Sequence, residues 1–172
     1  MYVFLIGGAR SGKSVLAVKL AGRSQAPVTV LVTGTPSDPE MAERIRRHQA
    51  ERPVTWQVIE APTDVGEAIA DVEPESYLLF DCLTLWVSNL MATGHDETQI
   101  LEAARNVSAA LAHRAGDGAV VSNEVGSGIV PVNALARTYR DTLGRVNATF
   151  AERAERSVLV VAGRTVNLGD YA

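Results

Sequence analysis

Phe4-Leu5-Ile6-Gly7-Gly8-Ala9-Arg10-Ser11-Gly12-Lys13-Ser14 decides how the rest of the chain is read. A short apolar run feeds a glycine-rich turn, and Val15-Leu16-Ala17-Val18-Lys19-Leu20-Ala21 follows with apolar residues at helical spacing. From Gly7 to Ser14 the spacing is G-x-x-x-x-G-K-S, that of a phosphate-binding loop. Glycines at Gly7, Gly8 and Gly12 let the backbone N–H groups of the loop, Ala9, Arg10 and Ser11 included, crowd around a polyphosphate at a helix N-terminus. Lys13 then reaches the outer phosphates, and the Ser14 hydroxyl is placed to ligate an accompanying Mg²⁺. Of 16 Lys plus Arg only Lys13 and Lys19 are lysines. Arg is the default cation of this chain, so a lysine in the loop answers a need for a compact ammonium that a planar guanidinium does not meet.

Outward from the loop, strand and helix patterns alternate, which predicts an α/β fold with a mostly parallel sheet covered on both faces. Strands are expected at Tyr2 to Ile6, Val28 to Thr33, Thr55 to Glu60, Tyr77 to Asp81, Ala119 to Asn123 and Val158 to Ala162. Helices are expected at Lys13 to Arg23, Pro39 to Arg52, Val65 to Asp71, Leu83 to Ala92, Glu97 to Arg114 and Val132 to Arg156, with room for breaks in some of them. At 172 residues with no repeat or linker, the chain reads as one domain.

Composition narrows the class. With 47% hydrophobic and 21% charged residues the chain has the make-up of a soluble globular protein, and a net charge of -4 argues against a general binder of nucleic acid or anionic membranes. No apolar run approaches the ~20 residues of a membrane span. The N-terminus, which reaches glycine after six residues, reads as a first strand and not a signal peptide. A single cysteine, Cys82, excludes an internal disulfide and a cysteine-cluster metal site and suits a reducing cytoplasm.

Three places outside the loop invite chemistry. Along the helix that Asp38 caps and Pro39 opens, Arg44, His48 and Arg52 recur every four residues and form one line. An imidazole flanked by guanidiniums keeps a ring lone pair while the guanidiniums hold phosphate oxygens, as a nucleophile toward phosphorus requires; a surface histidine on a solvated helix is the alternative. Asp81 ends an apolar strand, as the carboxylate of a Walker B element does. It would lie near Ser14 and the metal if its strand neighbours the first; the alternative is an N-cap for the helix starting near Leu83. Glu60 ends another strand and is open to a nucleotide, a metal or solvent. The stretch Val121-Ser122-Asn123-Glu124-Val125-Gly126-Ser127-Gly128 runs from a strand into a glycine-rich loop that either cradles substrate or serves as a hinge. Arg137, Arg140, Asp141 and Asn147 decorate the last helix, where surface or subunit contacts are the simplest account.

Taken in order, these residues resemble the bifunctional adenosylcobinamide kinase / adenosylcobinamide-phosphate guanylyltransferase family of cobalamin biosynthesis. The resemblance runs nearly the full chain. It rests on Gly7 to Ser14, on Asp38-Pro39-Glu40-Met41 through Arg44-Ile45 to His48, on Arg52-Pro53 with Trp56 and Glu60, and on Asp81-Cys82-Leu83-Thr84-Leu85-Trp86. Asn123-Glu124-Val125-Gly126-Ser127-Gly128-Ile129-Val130-Pro131, Arg137, Tyr139-Arg140-Asp141, Gly144, Asn147 and Val161-Ala162-Gly163 complete it.

The resemblance implies a three-layer P-loop NTPase domain of the RecA-like kind and two reactions upon it. In one, ATP or GTP phosphorylates the aminopropanol hydroxyl of adenosylcobinamide. In the other, His48 takes GMP from GTP as a covalent adduct and passes it to the phosphorylated corrinoid, giving adenosylcobinamide-GDP. Besides the loop, the implied nucleotide contacts are Val32, Thr33, Gly34, Gln49, Ala50, Glu51, Arg52, Glu60 and a residue at Asp81 or Cys82. Mg²⁺ would be held at Ser14 and Asp81, and a homotrimer is expected. Two other classes compete: a monofunctional small-molecule kinase with a merely structural His48, and a nucleotide-dependent switch, which the absence of an N-K-x-D guanine motif disfavours.

Overall fold

The first strand, β1 (Tyr2–Gly7), is buried along almost its whole length, the mark of a strand covered on both faces. Its side chains alternate: Tyr2, Phe4 and Ile6 enter one core, whereas Leu5 enters the other. The computed structural model describes residues 1–36, 39–50 and 52–169, without the side chains of Met41 and Arg44. Elements follow in the order β1, α1 (Lys13–Ala21), β2 (Val28–Val32), α2 (Pro39–Ala50), β3 (Gln57–Glu60), α3 (Val65–Ala70) and β4 (Tyr77–Asp81). After these come α4 (Leu83–Ala92), α5 (Glu97–His113), β5 (Gly118–Asn123), α6 (Ala134–Arg153), β6 (Arg156–Val161) and β7 (Arg164–Asn167).

The strands form one sheet in the order β3-β2-β4-β5-β1-β6-β7, parallel except for the terminal β6–β7 pair. On one face, α1 contributes Ala17 and Ala21 to a core with Val30, Leu79, Val121 and Val158, with Trp56 packed against it. On the other face, α3, α4, α5 and α6 bury Ile69, Trp86, Ile100, Val107, Val146 and Phe150 against Phe4, Leu31, Leu78, Phe80 and Val120. At its centre Phe80, Trp86 and Phe150 meet edge to face at 6.1 to 6.4 Å, a packing that the ring quadrupoles favour. The sheet is thus the middle of three layers. Among the described residues no helix is long and apolar enough to cross a membrane.

Expectation and structure differ in four respects. A seventh strand, β7, lies antiparallel at the sheet edge and carries only Arg-Thr-Val-Asn, too short and mixed to register as a strand pattern. Its hairpin turn is Ala162-Gly163, both at positive φ (49° and 72°), where Asn-Gly would have announced it. Next, β4 does not neighbour β1, because β5 lies between them. Third, β3 starts at Gln57 and not at Thr55, since the amide of Trp56 closes a turn onto the Pro53 carbonyl at 3.1 Å. The last helix is one unbroken element whose N-cap, Asn133, accepts from the amide of Ala136 at 3.1 Å. The expected cap Asp38 lies outside the described residues.

Candidate active site

Where β1 ends, the chain turns through Gly7 to Gly12 and enters α1 at Lys13. Gly12 caps the helix at φ 101°, a conformation open to glycine and strained for other residues, and Arg10 also has positive φ (56°). A Cβ on Gly7 would stand 2.2 Å from the Val160 carbonyl oxygen, so β6 fixes the start of the loop by close approach. Lys13 is 7% exposed, and its ammonium donates to the Gly8 carbonyl at 2.7 Å and lies 3.5 Å from Ser11 Oγ. It is held across the mouth of the loop that it was expected to serve. Arg10 to Val15, Asp81, Cys82, Thr84 and Val121 to Asn123 line an open cleft of about 670 Å³ around it.

A second cleft, of about 580 Å³, adjoins the first and is lined by Val32, Gly34, Ile45, His48, Gln49, Arg52, Glu60, Asp81, Cys82 and Leu85. Asp81 and Cys82 belong to both. The inserted β5 therefore does not take Asp81 away from the phosphate loop: the carboxylate lines its cleft from one strand further out. Arg52, just beyond α2 and 9% exposed, donates from Nη2 to Asp81 Oδ2 at 2.7 Å. His48 Nδ1 stands 3.8 Å from the same oxygen. Asp81 does not cap α4; Cys82 holds that position, without a side-chain bond.

Most of the expected nucleotide contacts thus converge: Val32, Gly34, His48, Gln49, Arg52, Glu60, Asp81 and Cys82 share one cleft with Ile45 and Leu85, to which no site role was assigned from sequence. Thr33 is placed differently. It is fully buried, its hydroxyl donating to the Cys82 carbonyl at 2.8 Å and accepting from the Cys82 amide at 3.2 Å. Ala50 is exposed on α2 and lines neither cleft. Glu51 and the Arg44 side chain lie outside the described residues, so of the Arg44-His48-Arg52 line the structure describes the last two. Burial and the neighbouring Asp81 carboxylate push the Cys82 thiol up to about 11, which keeps it protonated and poorly nucleophilic at neutral pH.

Mg²⁺ suits these residues. Among the described residues no group of three or more His, Cys, Asp or Glu forms a protein cage; Ser14 and Asp81 line one cleft, and the bond from Arg52 engages Asp81 through Oδ2. One hydroxyl and one carboxylate, with phosphate oxygens and water completing the shell, is the sparse donor set this ion takes.

A polar network behind the cleft carried no sequence signal of its own. The Ser122 hydroxyl donates to Asn147 Oδ1 at 2.6 Å, and Asn147 Nδ2 donates to the Asn123 carbonyl at 3.1 Å. The Asn123 amide donates to Thr84 Oγ1 at 2.9 Å, and the Tyr139 hydroxyl to the Thr84 carbonyl at 3.1 Å. Asn147, expected on the surface, is 5% exposed and ties α6 to the end of β5.

Residues 3–168 match the model of a family described as cobinamide kinase / cobinamide phosphate guanyltransferase. The chain is 40% identical over 161 residues to the bifunctional adenosylcobalamin biosynthesis protein CobP of Pseudomonas aeruginosa, covering 92% of each. It is 39% identical over 181 residues to the bifunctional adenosylcobalamin biosynthesis protein CobU of Escherichia coli K12, covering 98% of this chain and 99% of that protein. Its fold is shared with a structurally studied protein of Pyrococcus horikoshii OT3 (TM-score 0.60, 8% identity, 99% and 87% covered). It is shared likewise with a type III secretion system ATPase of pathogenic bacteria (TM-score 0.57, 12% identity, 96% and 57% covered).

Proposed function

The chain belongs to the cobinamide kinase / cobinamide phosphate guanyltransferase family, and from that premise we propose how two adjoining clefts divide its two reactions. It is a bifunctional transferase on a P-loop fold: it phosphorylates cobinamide and transfers a guanylyl group to the phosphate so made. One observation carries the division of labour. The phosphate-loop cleft and the His48 cleft share Asp81 and Cys82 in their linings, which supports reading His48 as a nucleophile acting on a triphosphate held next door.

In the kinase reaction the loop amides, Lys13 and Ser14 hold the triphosphate of ATP or GTP while the aminopropanol hydroxyl of adenosylcobinamide approaches the γ-phosphorus. An O–P bond forms to the hydroxyl oxygen, the bond to the β–γ bridging oxygen breaks, the electron pair stays on the diphosphate, and the hydroxyl proton goes to solvent. Mg²⁺, when bound, would neutralise charge on the β- and γ-phosphate oxygens. Ser14 and Asp81 are the residues that would hold it.

For guanylyl transfer, a ring nitrogen of His48 attacks the α-phosphorus of GTP and pyrophosphate leaves. The P–N bond then breaks as a phosphate oxygen of adenosylcobinamide phosphate attacks, restoring the imidazole and giving adenosylcobinamide-GDP. Arg52 neutralises phosphate charge in this cleft, and Val32, Gly34, Gln49 and Glu60 border the nucleotide. A homotrimer fits the exposed apolar residues Ile129, Val130, Val132 and Leu135, which association would cover. A cytoplasmic setting fits the single cysteine.

Incubation with GTP labelled in the α-phosphate tests the reading. The wild-type protein acquires an acid-labile, alkali-stable label, and His48→Ala does not acquire it while still phosphorylating cobinamide. An unlabelled wild-type protein that phosphorylates cobinamide would reduce the assignment to a kinase alone.

A further inference from the structure

We infer that Asn123 is a catalytic residue of the kinase reaction, its side-chain amide donating to an oxygen of the γ-phosphate as that group transfers; the inference rests on the two-reaction reading above. Asn123 ends β5, the strand lying between β4 with Asp81 and β1 with the phosphate loop. In register it stands opposite Gly7, two residues beyond the partner of Asp81. It lines the same cleft as Lys13 and Ser14.

Its backbone is locked from three sides. The amide donates to Thr84 Oγ1, the carbonyl accepts from Asn147 Nδ2, and the amide of the next residue, Glu124, donates to the Gly7 carbonyl at 3.0 Å. Asn147 is itself buried and fixed by the Ser122 hydroxyl. Within this frame the Asn123 side chain has no hydrogen-bonding partner among the described residues, although a carboxamide offers two donors and an acceptor. Three bonds thus hold the backbone that carries this unpartnered amide at the phosphate cleft.

Chemistry selects its target. The loop amides and the α1 N-terminus envelop the inner phosphates. The γ-phosphate of a triphosphate held by the loop would enter the cleft that Asp81, Thr84 and Asn123 also line. Lys13 already supplies positive charge there; a neutral N–H donor stabilises the transferring phosphoryl oxygens without binding the product diphosphate more tightly.

Asn123→Ala separates this role from a structural one, because the bonds holding the end of β5 run through the backbones of Asn123 and Glu124 and through Ser122 and Asn147, none of them through the Asn123 side chain, and survive the substitution. Cobinamide phosphorylation by Asn123→Ala falls ~10²- to 10³-fold in kcat, with the nucleotide KM changed less than about fivefold. Guanylylation of His48, measured with α-labelled GTP, stays within about fivefold of wild type, since the γ-phosphate only departs with pyrophosphate there. Asn123→Asp, isosteric but turning an acceptor toward the phosphate, loses more kinase activity than Asn123→Ala and serves if the alanine variant does not fold. A kinase kcat within about threefold of wild type, or equal loss in both half-reactions, overturns the inference. If wild-type protein leaves cobinamide unphosphorylated, the kinase reading falls and binding decides the γ-phosphate contact. The preference for a nonhydrolysable triphosphate over the diphosphate then drops about tenfold in Asn123→Ala, and an unchanged preference overturns the contact.

Discussion

The amide of Gly163, in the turn between β6 and β7, donates to the carbonyl of Ser11 in the phosphate loop at 2.8 Å. This hairpin at the sheet edge therefore braces the loop from behind, and Gly163 Cα would lie 3.3 Å from a Cβ built on Gly12. The loop is as much a product of β6 and β7 as of its own glycines.

Two adjacent glycines test that brace. At Gly7 an added Cβ meets the Val160 carbonyl oxygen, a backbone atom with no freedom to move aside; at Gly8 it meets nothing within 4 Å. Gly7→Ala is expected to cost about 1–3 kcal/mol of stability and to weaken triphosphate binding, as overpacking against backbone does. Gly8→Ala melts near the wild-type temperature. Thermal melts with and without nucleotide check both.

The Arg52–Asp81 pair predicts strong coupling, for its side chains are only 6% and 14% exposed. Removing either partner leaves a largely buried charge uncompensated, at a cost of about 3–5 kcal/mol. The double variant Arg52→Ala with Asp81→Ala should be more stable than the two single losses added together, by about 1–3 kcal/mol in a urea-unfolding cycle.

Lys13 and His48 should separate kinetically. Lys13→Ala lowers both phosphorylation and guanylylation by ~10²-fold or more, since both need the triphosphate held in place. His48→Ala abolishes the labelled adduct and GMP transfer while retaining kinase turnover. Parallel loss of both activities in a folded His48→Ala protein would contradict the division between clefts.

Cys82 gives a pH signature. Its thiol is raised from 9.0 to about 11 in the folded chain. Above about pH 9 the unfolded chain gives up this proton while the folded chain retains it, so the contribution to stability is present below about pH 9 and fades toward about pH 11. Cys82→Ala removes that portion of the alkaline loss in unfolding titrations. Wild-type protein near pH 8 should alkylate far more slowly folded than in urea.

Much of this was legible in the residues. Dense Val, Leu and Ile runs announced most of the six parallel strands because the central strands are buried, whereas the edge strand β3 is largely exposed and mixed in composition; the spacing from Gly7 to Ser14 located the first cleft. Asp81 was recognisable as an acidic strand terminus, but strand order was not: nothing in Tyr77 to Asp81 states that β5 inserts beside β1, because parallel neighbours are chosen by crossovers far apart in sequence. The buried role of Asn147 escaped for a similar reason. A polar residue at helical spacing resembles any solvent-facing position until Ser122 and Asn123, some two dozen residues earlier, are brought beneath it. Thr33 sits beside Cys82 by the same long-range pairing of β2 with β4, which gives its hydroxyl an internal partner that the sequence did not announce.

Because Asp81 and Cys82 wall both clefts, the division of labour proposed above leaves no seam between the two activities. The residues of the His48 cleft, Val32 to Leu85, fall inside the stretch Arg10 to Asn123 that lines the phosphate-loop cleft, so no fragment that keeps the lining of the phosphate-loop cleft loses that of its neighbour. Bifunctionality in such an architecture is inherited whole, and drift toward a specialist must proceed by point changes at positions that only one cleft uses, such as His48 or Asn123.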